Sequence, residues 1–374
     1  MSDDKTSKLS RRKLLKGGAI TAGVGVASLA MPQISRAETF TLRMQSSWPA
    51  ADVFHEMAAD YVERVEAMAG GRLKIDLTPA GAIVGAFQVQ DACHDGVIDM
   101  AHTVAAYWYK ATSLFGTGPV FGGNPHQMLA WMHRGGGQEL YNELIQEILG
   151  LNVVSYFGMP MPPQPLGWFA EPVESAEELN GLKYRTVGLA ADLFQSMGAA
   201  VTQLPAGEII PAMERGVLDA FEYNNPTSDR RFGAQDVAKH YMLGSYHQAN
   251  ETFEFIFNKD MLEDLPDDLR AILIYGVEAS ATANYSKAMD LYSADLRGLM
   301  EEDGVSVHRT PDSIMQAQLD AWDGLLDNLN QDAFFKRVVD SQREWCERVV
   351  FYDLMNGADY KRAYQHYFPG KIDF

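Results

Sequence analysis

The sequence predicts an α/β fold of two similar lobes with mixed sheets, and three observations carry that expectation. Strand-like and helical patterns alternate from Phe40 onward. A short motif recurs in the two halves of the chain. Between its two copies, a proline-rich stretch breaks the regular pattern. Alternation of this kind builds βαβ units and a mostly parallel sheet.

The elements follow in order. Phe40–Gln45 alternates apolar and polar residues and predicts a strand. Val53–Met68 has helical spacing and stops at Gly70-Gly71. Arg72–Thr78 alternates again, Phe87–His94 predicts a helix, and Ile98–Thr103 predicts a strand. Pro79-Ala80-Gly81 precedes the second helix, and Gly96-Val97-Ile98-Asp99 opens the strand after it. Later, Pro205-Ala206-Gly207 and Gly216-Val217-Leu218-Asp219 repeat that arrangement. Each leading Gly is expected to end its helix in a left-handed turn. Two similar lobes leave a cleft between them.

Four prolines in residues 160–165 favour a stiff, extended crossover between lobes. Leu182–Gly188 predicts a strand, followed by a helix from Leu189. Thr252–Asn258 predicts another strand. Leu265–Met300 predicts a long helix, with further amphipathic helices over Asp312–Asn328 and Phe334–Met355. The aromatic residues Trp322, Phe334, Phe335, Trp345, Phe351 and Tyr352 serve either a core or a subunit interface.

The N-terminus sets the compartment. Ser10-Arg11-Arg12-Lys13-Leu14-Leu15-Lys16 is a twin-arginine stretch, followed by a weakly apolar run from Gly17 to Met31. Ser35-Arg36-Ala37 then offers a small-x-small cleavage site. This order predicts a twin-arginine export signal, cleaved after Ala37, and a location in the periplasm. About 15 mildly apolar residues fall short of the ~20 that a spanning helix needs. Residues 1–37 carry seven of the 31 basic and two of the 50 acidic residues. The rest therefore has 24 Lys+Arg against 48 Asp+Glu, a net charge of −24. Such a surface repels nucleic acid and anionic lipid, so any anion site must be locally positive. Cys93 and Cys346 are far apart in sequence, and their pairing stays open.

No HExxH, G-x-S-x-G, P-loop or CxxC pair occurs in the chain, which argues against the enzymes these motifs mark. Gly116–Gly122 has one residue too many for a dinucleotide fingerprint, and contains a proline. The strongest single candidate is Arg185, near the end of a predicted strand, where open α/β sheets bind ligands. Its guanidinium can grip a carboxylate through two parallel hydrogen bonds. Glu222 also follows a predicted strand, with Tyr223, Asn224, Asn225 and Pro226 in a turn-forming run. A carboxylate facing an anion site repels the anion unless a cation lies between them. Gln164, in the crossover, offers an uncharged amide oxygen of the kind hard cations accept. Plainer roles stay open for each: a strand arginine paired at the surface, a turn carboxylate, a loop amide.

Taken together, the chain resembles the periplasmic solute-binding proteins of TRAP transporters, the DctP-like family. The likeness runs from about Phe40 to the C-terminus and rests on GGRLKIDLTPAGAIVGAF, PMPPQPLGWF, GLKYRTVGLAADLFQSMGAA, LPAGEIIPAMERGVLDAFEYNNP and SYHQANETFEFIFNK. It is most similar to the branch binding 2-oxo and 2-hydroxy monocarboxylates. The resemblance implies a two-lobed clamshell with a long inter-lobe helix and a helical C-terminal extension. Residues 38–157 with 251–300 would form the first lobe, 158–250 with 301–330 the second, and 331–374 the extension.

The resemblance further implies a receptor and not an enzyme, delivering a small organic carboxylate to a membrane permease. Arg185 would clamp the ligand. Gln164, Glu222 and the Tyr223 carbonyl would hold a bridging sodium or calcium ion, with Glu251 as a further metal ligand. Tyr223 stands where that branch commonly has tryptophan. Asn225, Trp48, Phe87 and Tyr107 would contact the solute, with Gln88 near the cleft. Relatives that exchange a C-terminal helix imply a homodimer. Three other readings stay open. One is a metal-independent receptor for an aromatic or branched carboxylate, with Met159, Met161, Trp168 and Phe169 around a larger pocket. Another is an exported lyase or hydrolase using Glu222 as base, and the last is a structural or interaction protein.

Overall fold

Gly96 and Gly216 each end a helix in a left-handed turn, with φ of 70° and 67°. The hydrogen bonds around the two turns correspond one for one. Val97 N donates to Ala92 O and Val217 N to Ala212 O, each at 2.9 Å. Asp99 N donates to Arg43 O at 2.9 Å, and Asp219 N to Lys183 O at 2.8 Å. Even the carboxylates match: Asp99 accepts from Arg43 N and Asp219 from Lys183 N. The faint sequence repeat is thus a repeat of backbone geometry, with glycine supplying the positive φ in both copies.

The computed structural model describes residues 38–372 except 109, 119 and 120, so the export segment and its cleavage site lie outside the described residues. Eleven strands are described: β1 (Phe40–Ser46), β2 (Leu73–Thr78), β3 (Met100–Val104), β4 (Val153–Pro160), β5 (Gly167–Phe169), β6 (Lys183–Arg185), β7 (Ala200–Thr202), β8 (Ala220–Phe221), β9 (His240–Leu243), β10 (Thr252–Asn258) and β11 (Ser306–Arg309). They form two sheets, in the orders β2-β1-β3-β10-β4 and β11-β9-β5-β8-β6-β7. In each sheet a parallel triplet has its first strand in the middle: β1 between β2 and β3, β6 between β7 and β8. An antiparallel strand then joins each triplet, β10 beside β3 and β5 beside β8. The mixed α/β class expected from the sequence is the observed one.

Each of those antiparallel strands enters from the other sheet. Residues 161–166 carry the chain from β4 to β5, and residues 244–251 carry it from β9 to β10. The two crossovers run side by side, joined by Met161 N to Glu251 O at 2.8 Å and Gln164 N to Gln248 O at 3.3 Å. The prolines keep the first crossover extended, as expected. A third connection is the helix Asp267–Glu301, of 35 residues. Near its start, Leu269, Leu273 and Val277 pack with Tyr61, Phe255 and Phe257 under the first sheet. Toward its end, Tyr292 and Leu299 pack with Trp168, Phe221 and Tyr241 of the second. Arg230 fastens that end through Asp295, Glu302 and Asp303.

Some boundaries differ from expectation for identifiable reasons. β3 begins at Met100, not Ile98, because the Val97 and Ile98 amides both close back onto Ala92 O. The helix expected over Phe87–His94 starts with a 3₁₀ turn, Ala86–Gln88, in which Gln88 Oε1 accepts from Gly85 N. Gln88 is exposed and serves that turn, not the cleft. Neither Cys93 nor Cys346 forms a disulfide, and both are buried. The aromatic-rich tail divides: Trp322 and Phe335 are core, whereas Phe351 and Tyr352 are 66% and 67% exposed.

One buried group makes the first sheet pH-sensitive. His102, on β3, is fully buried against Trp48, Phe253 and Phe255, and neither ring nitrogen has a protein partner. Burial pushes its pKa down to about 3, with a smaller contribution from His55. The unfolded chain, with an ordinary value near ~6.5, binds the extra proton between those limits, so stability falls as pH drops through that window. His102→Phe should remove up to about 1.4 kcal/mol per pH unit of that slope. Urea denaturation at pH 7, 5.5 and 4 checks this; an unchanged slope refutes it.

Candidate functional site

The C-terminal ends of the two parallel triplets face a common space. β1 leads to Trp48, and β3 to Tyr107; β6 ends at Arg185, and β8 leads to Tyr223. The two crossovers supply Met161, Gln164 and Glu251. A small cavity of about 10 Å³ lies between them, about the space of one water molecule. Its polar wall is Gln164, Arg185, Asn224 and Glu251, and its aromatic wall Trp48, Phe54, Tyr107 and Tyr223. Val104, Met161 and Val187 complete it.

Arg185 is 1% exposed and held from three sides. Its Nε donates to Leu204 O at 2.8 Å, and its Nη1 to both the carbonyl oxygen and Oε1 of Glu222, each at 2.9 Å. The remaining nitrogen, Nη2, is buried and donates to no group of the protein. An unsatisfied buried donor is costly, about 1–3 kcal/mol and more when charged, so this edge is built for an acceptor brought from outside.

The crossover amide is its counterpart. Gln164 is 1% exposed, its Nε2 donates to Glu251 Oε2, and its Oε1 is buried without a donor. Asn224 Nδ2 donates to the same Glu251 oxygen at 3.1 Å. Burial, with a smaller contribution from the neighbouring Glu222, raises the Glu251 pKa to about 8. Burial likewise lifts Glu222 to about 7, against the opposing pull of Arg185. The Glu251 carboxylate and the orphan Gln164 oxygen on one small space, with the Glu222 carboxylate one layer behind, form a hard-oxygen donor set suited to sodium or calcium. Among the described residues no three His, Cys, Asp or Glu side chains converge, so softer all-side-chain metal cages have no counterpart there.

A family model described as DctP, bacterial extracellular solute-binding protein, family 7, matches residues 44–332. The chain belongs to this family. The monocarboxylate 2-oxoacid-binding periplasmic protein of Nostoc sp. is 28% identical over 366 residues, covering 94% of this chain and 98% of that protein. A TRAP transporter solute-binding protein of Bordetella bronchiseptica, a dimer with calcium and picolinate in one site, superposes with a TM-score of 0.81 at 26% identity. That match covers 88% of this chain and 97% of the other. A TRAP periplasmic solute-binding protein of Pseudoalteromonas atlantica, with sodium and pyruvate bound, gives a TM-score of 0.80 at 27% identity, with coverages of 88% and 100%. This solute-binding protein is therefore a receptor and not an enzyme.

The structure brings six of the expected residues onto the cavity: Trp48, Tyr107, Gln164, Arg185, Tyr223 and Glu251. Three others stand one layer back. Glu222 lies behind Arg185 as its ion-pair partner, fully buried. Phe87 buttresses Tyr107, ring centroids 4.7 Å apart. Asn225 caps the helix Pro226–Arg231, its Oδ1 accepting from Ser228 N and its Nδ2 donating to the Asn224 amide oxygen. Of the four residues considered for a larger apolar pocket, only Met161 reaches the cavity; Met159, Trp168 and Phe169 are core. Sequence reasoning missed Phe54, Val104, Val187 and Asn224. Phe54 read only as part of a helix start, and no periodicity distinguishes a cavity valine from a core one.

Gly188 sets how closely the two halves meet. It has φ of 61°, and a Cβ there would lie 2.6 Å from Ser113 Oγ and 2.9 Å from Ala106 O, across the cleft from β6. Gly188→Ala should destabilise the protein by about 1–3 kcal/mol and weaken solute binding by keeping the halves apart. Thermal denaturation and calorimetric titration of the variant check both effects, and wild-type affinity would refute the second.

Proposed function

We propose that this solute-binding protein captures a small 2-oxo or 2-hydroxy monocarboxylate of the pyruvate class, together with a sodium or calcium ion. The observation that carries this reading is the pair of orphaned buried atoms, Arg185 Nη2 and Gln164 Oε1, in one small cavity. The first requires an anion's oxygen and the second a donor or a cation. Arg185 takes the carboxylate. Gln164, Glu222, Glu251 and the Tyr223 carbonyl supply oxygen ligands for the cation, which contributes positive charge between the acids and the solute. Trp48, Phe54 and Tyr107 shield these contacts from water, which strengthens them. The size of the cavity and the pyruvate bound by the Pseudoalteromonas relative support a short side chain. On this reading residues 38–157 with 251–300 form one lobe and 158–250 with 301–330 the other, and the chain, exported by the twin-arginine route, delivers the solute to a TRAP permease.

Calorimetric titration of the purified protein with pyruvate should give one site per chain. Chelation should abolish or strongly weaken that binding, and added calcium or sodium should restore it. Arg185→Lys, which keeps the charge but loses the bidentate edge, should weaken binding by roughly 30-fold or more, in line with about 2–5 kcal/mol for a buried charged contact. Arg185→Ala should also destabilise the fold, because it strands Glu222. Binding that survives both chelation and Arg185→Lys would overturn the reading.

We also propose that the chain dimerises through its C-terminal segment. The helix Ala333–Asn356 is packed up to Val350, after which Leu354 and Met355 are 77% and 73% exposed. The next helix, Tyr360–Tyr367, presents Tyr360 and Tyr367 to solvent. A run of exposed apolar side chains on a charged protein marks a surface that another chain covers. Truncation after Val350 should convert a dimer to a folded monomer in light scattering; a monomeric full-length protein would refute this.

A further inference from the structure

Asp52 precedes the helix Val53–Ala69, and its carboxylate does more than cap that helix. It is 5% exposed. Oδ1 accepts from Phe54 N at 3.0 Å, which is the capping bond. The same oxygen accepts from Ser228 Oγ at 2.7 Å, and Oδ2 accepts from the Tyr223 hydroxyl at 2.6 Å. Both hydroxyls belong to the segment that follows β8, in the second sheet, whereas Asp52 follows β1, in the first. One carboxylate thus gathers hydrogen bonds from both halves.

Its position gives those bonds a use. The Tyr223 ring lines the inner cavity. Asp52, Ser228 and Arg231 line a second cavity, of about 60 Å³. The three hydroxyl and carboxylate groups therefore stand in the partition between the two spaces. Arg231 makes a parallel outer link, donating to Ala51 O at 3.3 Å and Glu56 Oε1 at 2.9 Å.

We propose that Asp52 is a latch and positioning residue for solute capture: by binding Tyr223 and Ser228 across the cleft it holds the two halves closed and fixes Tyr223 against the solute. The inference rests on the proposed binding of a 2-oxo acid only for its effect on affinity; the effect on closure is independent of the ligand. Charge-assisted O–H···O⁻ bonds are among the stronger neutral-to-ion contacts, and they exist here only while the halves meet. Their loss should appear mainly as faster departure of the solute.

Three variants test the latch. Tyr223→Phe removes only the hydroxyl, keeping the ring and the backbone carbonyl. Ser228→Ala removes the second donor. Asp52→Ser keeps a capping oxygen for the helix but is too short to reach either partner. Each should weaken pyruvate binding, measured with calcium present, by roughly tenfold or more through a faster off-rate. Asp52→Ser combined with Tyr223→Phe should be no weaker than Asp52→Ser alone. A purely capping role predicts the opposite pattern: unchanged affinity for Tyr223→Phe and Ser228→Ala, and for Asp52→Ser as well, because serine keeps the cap.

Closure is read separately from spin labels at Met68→Cys and Val217→Cys, both exposed positions, one in each half; the native cysteines are buried. Without added ligand, the latch variants should lose short label distances present in the otherwise unaltered chain. If that chain binds no 2-oxo acid, the functional reading fails while the label distances still decide the latch. Unchanged distances and affinities in all three variants would overturn it.

Discussion

The buried pair of Arg185 and Glu222 is the constraint on which the rest of the site depends. Taking a guanidinium out of water is expensive, and a single partner rarely compensates fully. Here Glu222 contributes its side chain and its own carbonyl, and Leu204 contributes another carbonyl. Three of the five N–H groups sit on Nε and Nη1, which meet these partners, and the other two sit on Nη2, left without one. Glu222 thereby fixes the rotamer of Arg185 and aims the unsatisfied edge. It is a support for the clamp, and its own burial is tolerable because the arginine lies against it.

This geometry depends in turn on duplicated architecture. Strand ends of two matching triplets meet head to head, so that segments following β1 and β3 face those following β6 and β8. Each triplet borrows an antiparallel strand reached from the other through a crossover, and those two crossovers carry Gln164 and Glu251 into the middle. The groups proposed to hold the cation therefore sit at the part of the molecule that belongs to both halves.

How much of this was legible varied with the range of the cause. Local signals were clear: Gly70, Gly96 and Gly216 end helices because only a small penalty attaches to positive φ at glycine, and the prolines of residues 160–165 mark the crossover. Arg185 was visible because a strand end followed by a helix is a local pattern. Asp52 was not. Its N-cap role is local, but its bonds to Tyr223 and Ser228 join residues more than 170 positions apart, and no spacing rule encodes that meeting. Phe87 and Asn225 misled for a related reason: sequence proximity to the site does not say which layer a side chain occupies. The helix Pro125–Arg134 and strands β9 and β11 also escaped notice, being short elements whose register comes from tertiary neighbours.

Charge arithmetic gives the strongest reason to expect a cation with the solute. On the cavity and one layer behind it, Arg185 supplies one positive charge, and Glu251 and Glu222 supply two negative ones when ionised. A carboxylate entering alone would bring the set to three negative charges against one. Surface residues would not help, since the chain carries 50 acidic residues against 31 basic ones. Part of the imbalance is already visible in Glu251, which burial and Glu222 together hold toward its neutral form. Protonating that acid relieves the repulsion but sacrifices a ligand oxygen. A calcium ion brings the whole set to neutrality, and sodium comes within one charge of it, while both accept the orphan oxygen of Gln164. Arg185 explains why an anion enters; the two acids explain why, on this reading, it does not enter alone.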